Sequence, residues 1–234
     1  MIRLMLLSTL VLLIIALLIP DHVRAQDELP RVLILGDSIY NGPARELSKE
    51  LKGQVTVVYR QLPPGEPFNS HTANENLDEL VGEEHWDLIH FNVGLGDLVY
   101  RVPGLQSFRA LSKNAGGVRN TSPEEYVANL KNLVTALAQT EAKLVWASTT
   151  PIRHSSTALF VPGSELEYNR LAAEVMTARN IVINDMYANM ARVIDLDRPT
   201  SFDPFSLDKK PLHLYMAKVI RRELKLAKQG SMNL

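Results

Sequence analysis

The stretch Arg31-Val-Leu-Ile-Leu-Gly-Asp-Ser38 decides the fold class of this chain. Its apolar run, ended by Gly36, reads as a strand buried on both faces, the habit of a parallel sheet covered by helices. Residues directly after such a strand stand at its carboxyl end, where sites form in α/β sheets. Gly36-Asp37-Ser38 is therefore delivered to that edge, ahead of a helical pattern over residues 43–52.

Outward from this stretch the same kind of run recurs. Gln54–Tyr59, Trp86–Asn92, Lys143–Ser148 and the short Asn180–Asn184 all read as strands. Helical patterns lie between them, over residues 73–82, from Pro123 to about Gln139, from Ser164 to about Arg179, and from about Leu214 to Ala227. The clearest has Ser122 as N-cap, Pro123 at the first helical position and Glu125 to complete a capping box. Val127, Leu130, Val134 and Leu137 then mark one face at helical spacing. Ser164 and Glu167 repeat the capping-box pattern. The last helix carries Lys218, Arg221, Arg222 and Lys225 on its expected wet side. Alternating short strands and helices predict an α/β fold with a parallel sheet covered on both faces. The loops after residues 36, 92 and 148 are the places to look for chemistry. Residues 98–122 are the longest connection without an evident element.

The whole chain sets the outer bounds. Its 234 residues, 46% hydrophobic, suffice for one domain with a sizeable core. Lys+Arg 25 nearly balances Asp+Glu 26, so charge gives no reason to expect nucleic acid as a partner. Residues 1–25 have the three-part layout of a secretory signal peptide: Arg3, an apolar run from Leu4 to Ile19, then Pro20 and Val23-Arg24-Ala25 as a cleavage pattern. This predicts an exported chain, periplasmic or secreted, with residues 26–234 as the folded domain. The alternative is an uncleaved membrane anchor, although the run is short for a span of about 20 residues. The sequence has no cysteine, which excludes disulfides and thiolate metal sites. His71, His85, His90 and His154 do not fall at a metal-binding spacing, so no metal site is expected. His90 should pack in the third strand with its ring hydrogen-bonded, and Trp86 and Trp146 should be core.

A serine becomes a nucleophile only with a base. His213 stands far away in sequence, just before the last helix, and a serine and a histidine so separated can meet in the fold. Negative charge developing near Ser38 would be favoured by the N-terminus of the following helix. Asp37 is placed either to hold the turn around Ser38 or to cap that helix.

The order of these segments resembles the SGNH/GDSL hydrolases. Gly36-Asp37-Ser38-Ile39-Tyr40 is similar to their first block, and Trp86 to Leu98 to their third, notably in a bacterial subgroup whose strand reads Ile-His-Phe-Asn. Glu75-Asn76-Leu77-Asp78, Thr149-Thr150-Pro151 and Tyr168-Asn169 fit the same subgroup, and His213 matches the histidine of the last block. The resemblance runs from about Arg31 to Leu226. It implies a three-layer α/β/α sandwich with a parallel sheet of about five strands, flavodoxin-like. It further implies ester hydrolysis by Ser38 and His213 without a cofactor, often on carbohydrate or lipid esters. Asn92, Gly94 and Asp97 would support the site.

The chain departs from the family at three points. Gly96 stands where the third block carries a side-chain donor to the oxyanion. Lys210 stands where the last block carries its Asp, which leaves Asp208 or Asp203 as the acid for His213. The second block, over Pro64 to Asn69, aligns loosely, with Phe68 in the place of the glycine whose N–H serves the oxyanion hole. Losing one such donor costs about 10²–10³ in turnover. Losing the orienting acid costs on the order of 10⁴ in the protease case. Gly96→Asn with Lys210→Asp is therefore expected to raise the activity of a merely weakened enzyme.

Arg101, Arg109, Lys113 and Arg119, with no acid among them, either line a site for an anionic group or are simply solvated. Three functions remain open: an exported serine esterase acting on an acylated carbohydrate or similar small ester, a non-catalytic binding protein on the same fold, and a membrane-tethered interaction domain. The sequence does not set the oligomeric state.

Overall fold

Val32, Leu33, Ile34 and Leu35 are all buried, and their alternation divides them between two cores. The computed structural model describes residues 28–63, 67–105, 107–154, 158–197 and 211–226. Residues 1–27, which include the candidate signal segment, and residues 198–210 lie outside them. Strand β1 is Arg31–Leu35, followed by a 3-10 turn over Ser38–Tyr40 and helix α1, Asn41–Glu50. Next come β2 (Thr56–Arg60), α2 (Ser70–Glu75), α3 (Leu77–Val81), β3 (Leu88–Phe91) and the short α4 (Leu95–Leu98). The chain then runs through β4 (Tyr100–Arg101), β5 (Val118–Arg119), α5 (Pro123–Leu137), β6 (Lys143–Ala147), α6 (Ser164–Thr177) and β7 (Val182–Asn184). It ends with α7 (Met186–Ala191) and α8 (Leu212–Glu223).

The five main strands form one parallel sheet in the order β2-β1-β3-β6-β7. Leu35 is in register with Arg60 and Phe91, and Phe91 with Trp146, so the carboxyl ends line up along one edge. Val32, Ile34, Leu88, Val145 and Ala147 face α1, α7 and α8. Leu33, Leu35, Ile89, Phe91 and Trp146 face α2, α3, α5 and α6. This is the three-layer α/β/α sandwich expected from the sequence, with both tryptophans buried in it.

Local rules explain where helices start and where expectation fails. The Ser122–Glu125 capping box forms as predicted, with Pro123 inside the first turn. The one predicted at Ser164 does not. Gly163, at φ 87°, caps α6 without a side-chain bond, and the Ser164 hydroxyl is buried without a partner. The helix predicted over 73–82 is two helices that meet at Asn76, whose side-chain amide donates to the Thr72 carbonyl at 2.8 Å. The connection 98–122 contains the antiparallel pair β4–β5, with Tyr100 opposite Arg119. Arg221 is not on a wet face: it reaches the Glu50 carboxylate at 2.9 Å and pins the end of α8 to the end of α1.

Candidate active site

The turn after β1 explains the motif that it carries. A side chain at Gly36 would place its Cβ 2.7 Å from Cδ2 of Tyr40, so only glycine lets that buried ring close over the turn. Asp37 Oδ1 accepts the Ile39 N–H at 2.9 Å and so caps the 3-10 turn. This is the turn-holding alternative of the two weighed for it. The Asp37 carbonyl accepts the Tyr59 hydroxyl at 2.7 Å. Burial pushes the Asp37 carboxyl up to about 6, against the lowering effect of the Ile39 N–H. Between these fixed neighbours Ser38 is exposed, and its hydroxyl has no hydrogen-bond partner among the described residues.

The neighbouring strand ends at the same level. Asn92 N–H donates to the Leu35 carbonyl at 3.0 Å, and the Asn92 amide donates to the Ala147 carbonyl at 2.8 Å. Asn92 thus laces the ends of β1, β3 and β6 together. Gly94 opens α4, its carbonyl accepting from Asp97 at 2.9 Å and Leu98 at 3.0 Å. A Cβ at Gly94 would strike the Thr149 hydroxyl. Thr149 cannot yield readily, because the Asn169 amide grips its N–H at 2.7 Å and its carbonyl at 2.9 Å.

Gly96 is set by another close approach. A Cβ there would run into the Phe68 carbonyl, lying 2.8 Å from its carbon. The φ of Gly96 is not positive, so the obstacle to a side chain is this contact and not the backbone conformation. The expected benefit of Gly96→Asn is corrected accordingly: the position has no room for the donor. Phe68 turns its carbonyl oxygen, an acceptor, toward Gly96. Asp97 is fully buried and holds the same crossing segment, accepting the Ser70 N–H at 3.0 Å and its hydroxyl at 2.6 Å. Burial raises its carboxyl to about 6, opposed by the bonds from Ser70 and Thr121.

His213 is the second residue of α8 and half-buried. Helices α1 and α8 pack side by side with their far ends joined by the Glu50–Arg221 pair. Ser38, just before α1, and His213, at the start of α8, are therefore both placed toward the carboxyl edge of the sheet. His213 lies near Glu46, whose carboxyl is held below its ordinary value first by the Lys49 hydrogen bond and further by this histidine. No hydrogen bond joins Ser38 to His213. Asp203, Asp208 and Lys210 lie outside the described residues, as do residues 64–66 of the second block.

His90 plays no part at this edge. It is buried, its Nε2 lies 3.1 Å from the Asn184 side-chain nitrogen, and burial lowers its pKa to about 4. Tyr59 and Ser70, which hold the two segments from behind, were not singled out from the sequence. The signal for Tyr59 was the strand register, since it pairs with Ile34 just before the turn.

No protein-family model matches the sequence, and no curated protein matches it significantly. Solved structures do. An acetyl xylan esterase superposes with a TM-score of 0.62 at 14% identity, over 82% of this chain and 98% of that one. The lipase/acylhydrolase from Enterococcus faecalis gives 0.61 at 15% identity, over 86% and 100%. A GDSL-like lipase from Bacteroides thetaiotaomicron gives 0.58 at 15% identity, over 83% and 87%. At such identities the likeness establishes the fold, and the fold of this chain is that of the SGNH/GDSL hydrolases.

Proposed function

We propose that the chain is an exported ester hydrolase in which Ser38 is the nucleophile and His213 its base, acting on an acylated carbohydrate. The observation that carries this reading is the Ser38 hydroxyl itself. It is exposed and, among the described residues, unpartnered at the carboxyl end of β1, on a turn fixed by Gly36, Asp37 and Tyr59. Acetyl xylan esterases among the structural neighbours support the substrate class. In the reaction Ser38 Oγ bonds to the acyl carbon while its proton passes to His213. The carbonyl oxygen carries the negative charge until the bond to the leaving alcohol breaks and that alcohol takes the proton. Water then attacks the acyl-serine, releasing the acid and restoring the hydroxyl. With glycine at 96, the oxyanion is stabilised by backbone N–H groups, aided by the positive end of α1. Asp208 is the candidate to orient His213, and residues 1–25 are the candidate export signal.

A second reading, a binding protein on the same fold, is favoured by one contact: the Phe68 carbonyl occupies the space of a donor at position 96. Hydrolysis of p-nitrophenyl acetate and of acetylated xylo-oligosaccharides by the wild type, Ser38→Ala and His213→Ala decides. The esterase reading expects turnover to fall about 10²-fold or more in each variant, since nucleophile and base act as a unit. Turnover in Ser38→Ala equal to wild type, or none in any form, leaves the binding protein.

A further inference from the structure

A concavity lies beside the Gly94–Asp97 segment, which its lining residues Asn120 and Thr121 hold by hydrogen bonds. It measures about 590 Å³ and lies between α2, the start of α5 and the connection that carries β4 and β5. That volume is within the range of small-molecule clefts, about 300–1,000 Å³. Neither Ser38 nor His213 lines it. Its walls are mostly polar, and much of their hydrogen-bonding capacity is committed to fixing the walls themselves. Asn69 Oδ1 caps α2 through the N–H groups of His71 and Thr72, both at 2.9 Å. The Asn120 amide donates to the Gly96 carbonyl at 2.8 Å and accepts from Arg101 at 3.3 Å. The cleft is thus preformed.

The uncommitted groups define what it would hold. The Asn129 amide donates to Ser70 Oγ at 3.0 Å, which leaves its oxygen free. Glu125 uses one carboxylate oxygen on the Ser122 N–H at 2.9 Å and keeps the other. Glu75 uses one on His71 at 3.3 Å and keeps the other. These acceptors stand beside donors in the same lining, the remaining N–H groups of Arg101 and the Ser107 hydroxyl, which suits a ligand rich in hydroxyl groups that both donate and accept. The lining mixes two carboxylates, Glu75 and Glu125, with Arg101 and with His71, which is already paired with Glu75, so neither sign of charge dominates and neither an anion nor a cation is favoured. Phe108 adds an aromatic wall, apolar enough to cover the C–H face of a ring. Of the four basic residues in the 98–122 connection, only Arg101 lines the cleft. Arg119 turns instead to Glu167 and the Tyr168 ring, and Arg109 is exposed. An anion-binding cluster is not assembled.

We infer that this cleft, between Phe108 and the free acceptors of Glu75, Glu125 and Asn129, is a binding site for an uncharged sugar chain, separate from the Ser38 edge. Two of its lining residues hold the Gly94–Asp97 segment: Asn120 donates to the Gly96 carbonyl at 2.8 Å, and Thr121 N–H donates to the Asp97 carbonyl at 3.1 Å. A glycan seated there would be anchored next to the reacting edge without entering it. Binding in the cleft does not depend on whether Ser38 reacts, so the two readings fail separately.

The test is calorimetric titration of the full chain with xylotetraose, cellotetraose, maltotetraose and chitotetraose, with spermidine and inorganic phosphate as charged probes. At least one neutral tetrasaccharide should bind wild type and Ser38→Ala alike. Phe108→Ala should weaken it about ten-fold or more. Glu75→Gln, on an exposed helix position that leaves folding unaffected, should weaken it several-fold. Thermal melting checks that Phe108→Ala is folded; if it is not, Glu75→Gln carries the comparison. The inference is overturned if no tetrasaccharide binds at 10 mM, or if spermidine or phosphate binds in preference. It is overturned equally if Ser38→Ala abolishes binding, or if folded variants of both cleft residues bind like wild type.

Discussion

The fully buried carboxylate of Asp97 accepts both the backbone N–H of Ser70, at 3.0 Å, and its hydroxyl, at 2.6 Å. One acidic side chain after β3 thereby fixes the start of α2, and with it the Phe68 carbonyl that lies against Gly96.

This arrangement makes stability depend on pH with an unusual sign. Burial raises the Asp97 carboxyl from 3.8 to about 6. Between those values the folded state binds more protons than the unfolded, so stability falls as pH rises through the window. The difference corresponds to roughly 3 kcal/mol for this group. Asp37, also raised to about 6 by burial, acts in the same direction. Denaturant midpoints measured from pH 4 to 7 should decline in the wild type and decline less in Asp97→Asn. Equal slopes in the two proteins would count against an Asp97 raised by burial.

Gly96→Asn, alone or with Lys210→Asp, should not raise activity. The new Cβ meets the Phe68 carbonyl, and overpacking of this kind costs about 1–3 kcal/mol. A lower melting temperature without a gain in ester hydrolysis is expected. A folded variant with ten-fold greater turnover would mean that the Phe68 segment moves aside.

Tyr59→Phe removes the hydroxyl that holds the Asp37 carbonyl at 2.7 Å. Stability should drop by about 1 kcal/mol. If the turn positions the nucleophile, kcat should fall while KM stays level. Unchanged kcat with the expected loss of stability would make Tyr59 purely structural.

The mature protein should begin at Gln26 if Val23-Arg24-Ala25 is cut after export. Intact-mass measurement on protein from the native host reads this directly. A membrane-bound chain retaining residues 1–25 would establish the anchor instead.

The strand pattern was legible because burial on both faces demands near-continuous apolar residues, and Arg31–Leu35, Trp86–Asn92 and Lys143–Ser148 have them. The Ser122 cap was legible because capping is local. The Ser164 cap misled, since Gly163 at positive φ takes the N-cap position and Ser164 is the first helical residue. The break at Asn76 and the small β4–β5 pair depend on contacts that a linear pattern does not contain.

The sequence by itself determined the sandwich, the delivery of Ser38 to the carboxyl edge and the absence of a side-chain donor at Gly96. These follow from side-chain identity and spacing along one element. Only the tertiary structure decided why Gly96 is glycine, that Asp97 serves Ser70, and that Tyr59 and Asn169 hold the site from behind. Each of these is a contact between segments brought together by sheet order and close packing, and none is written in any single stretch of chain.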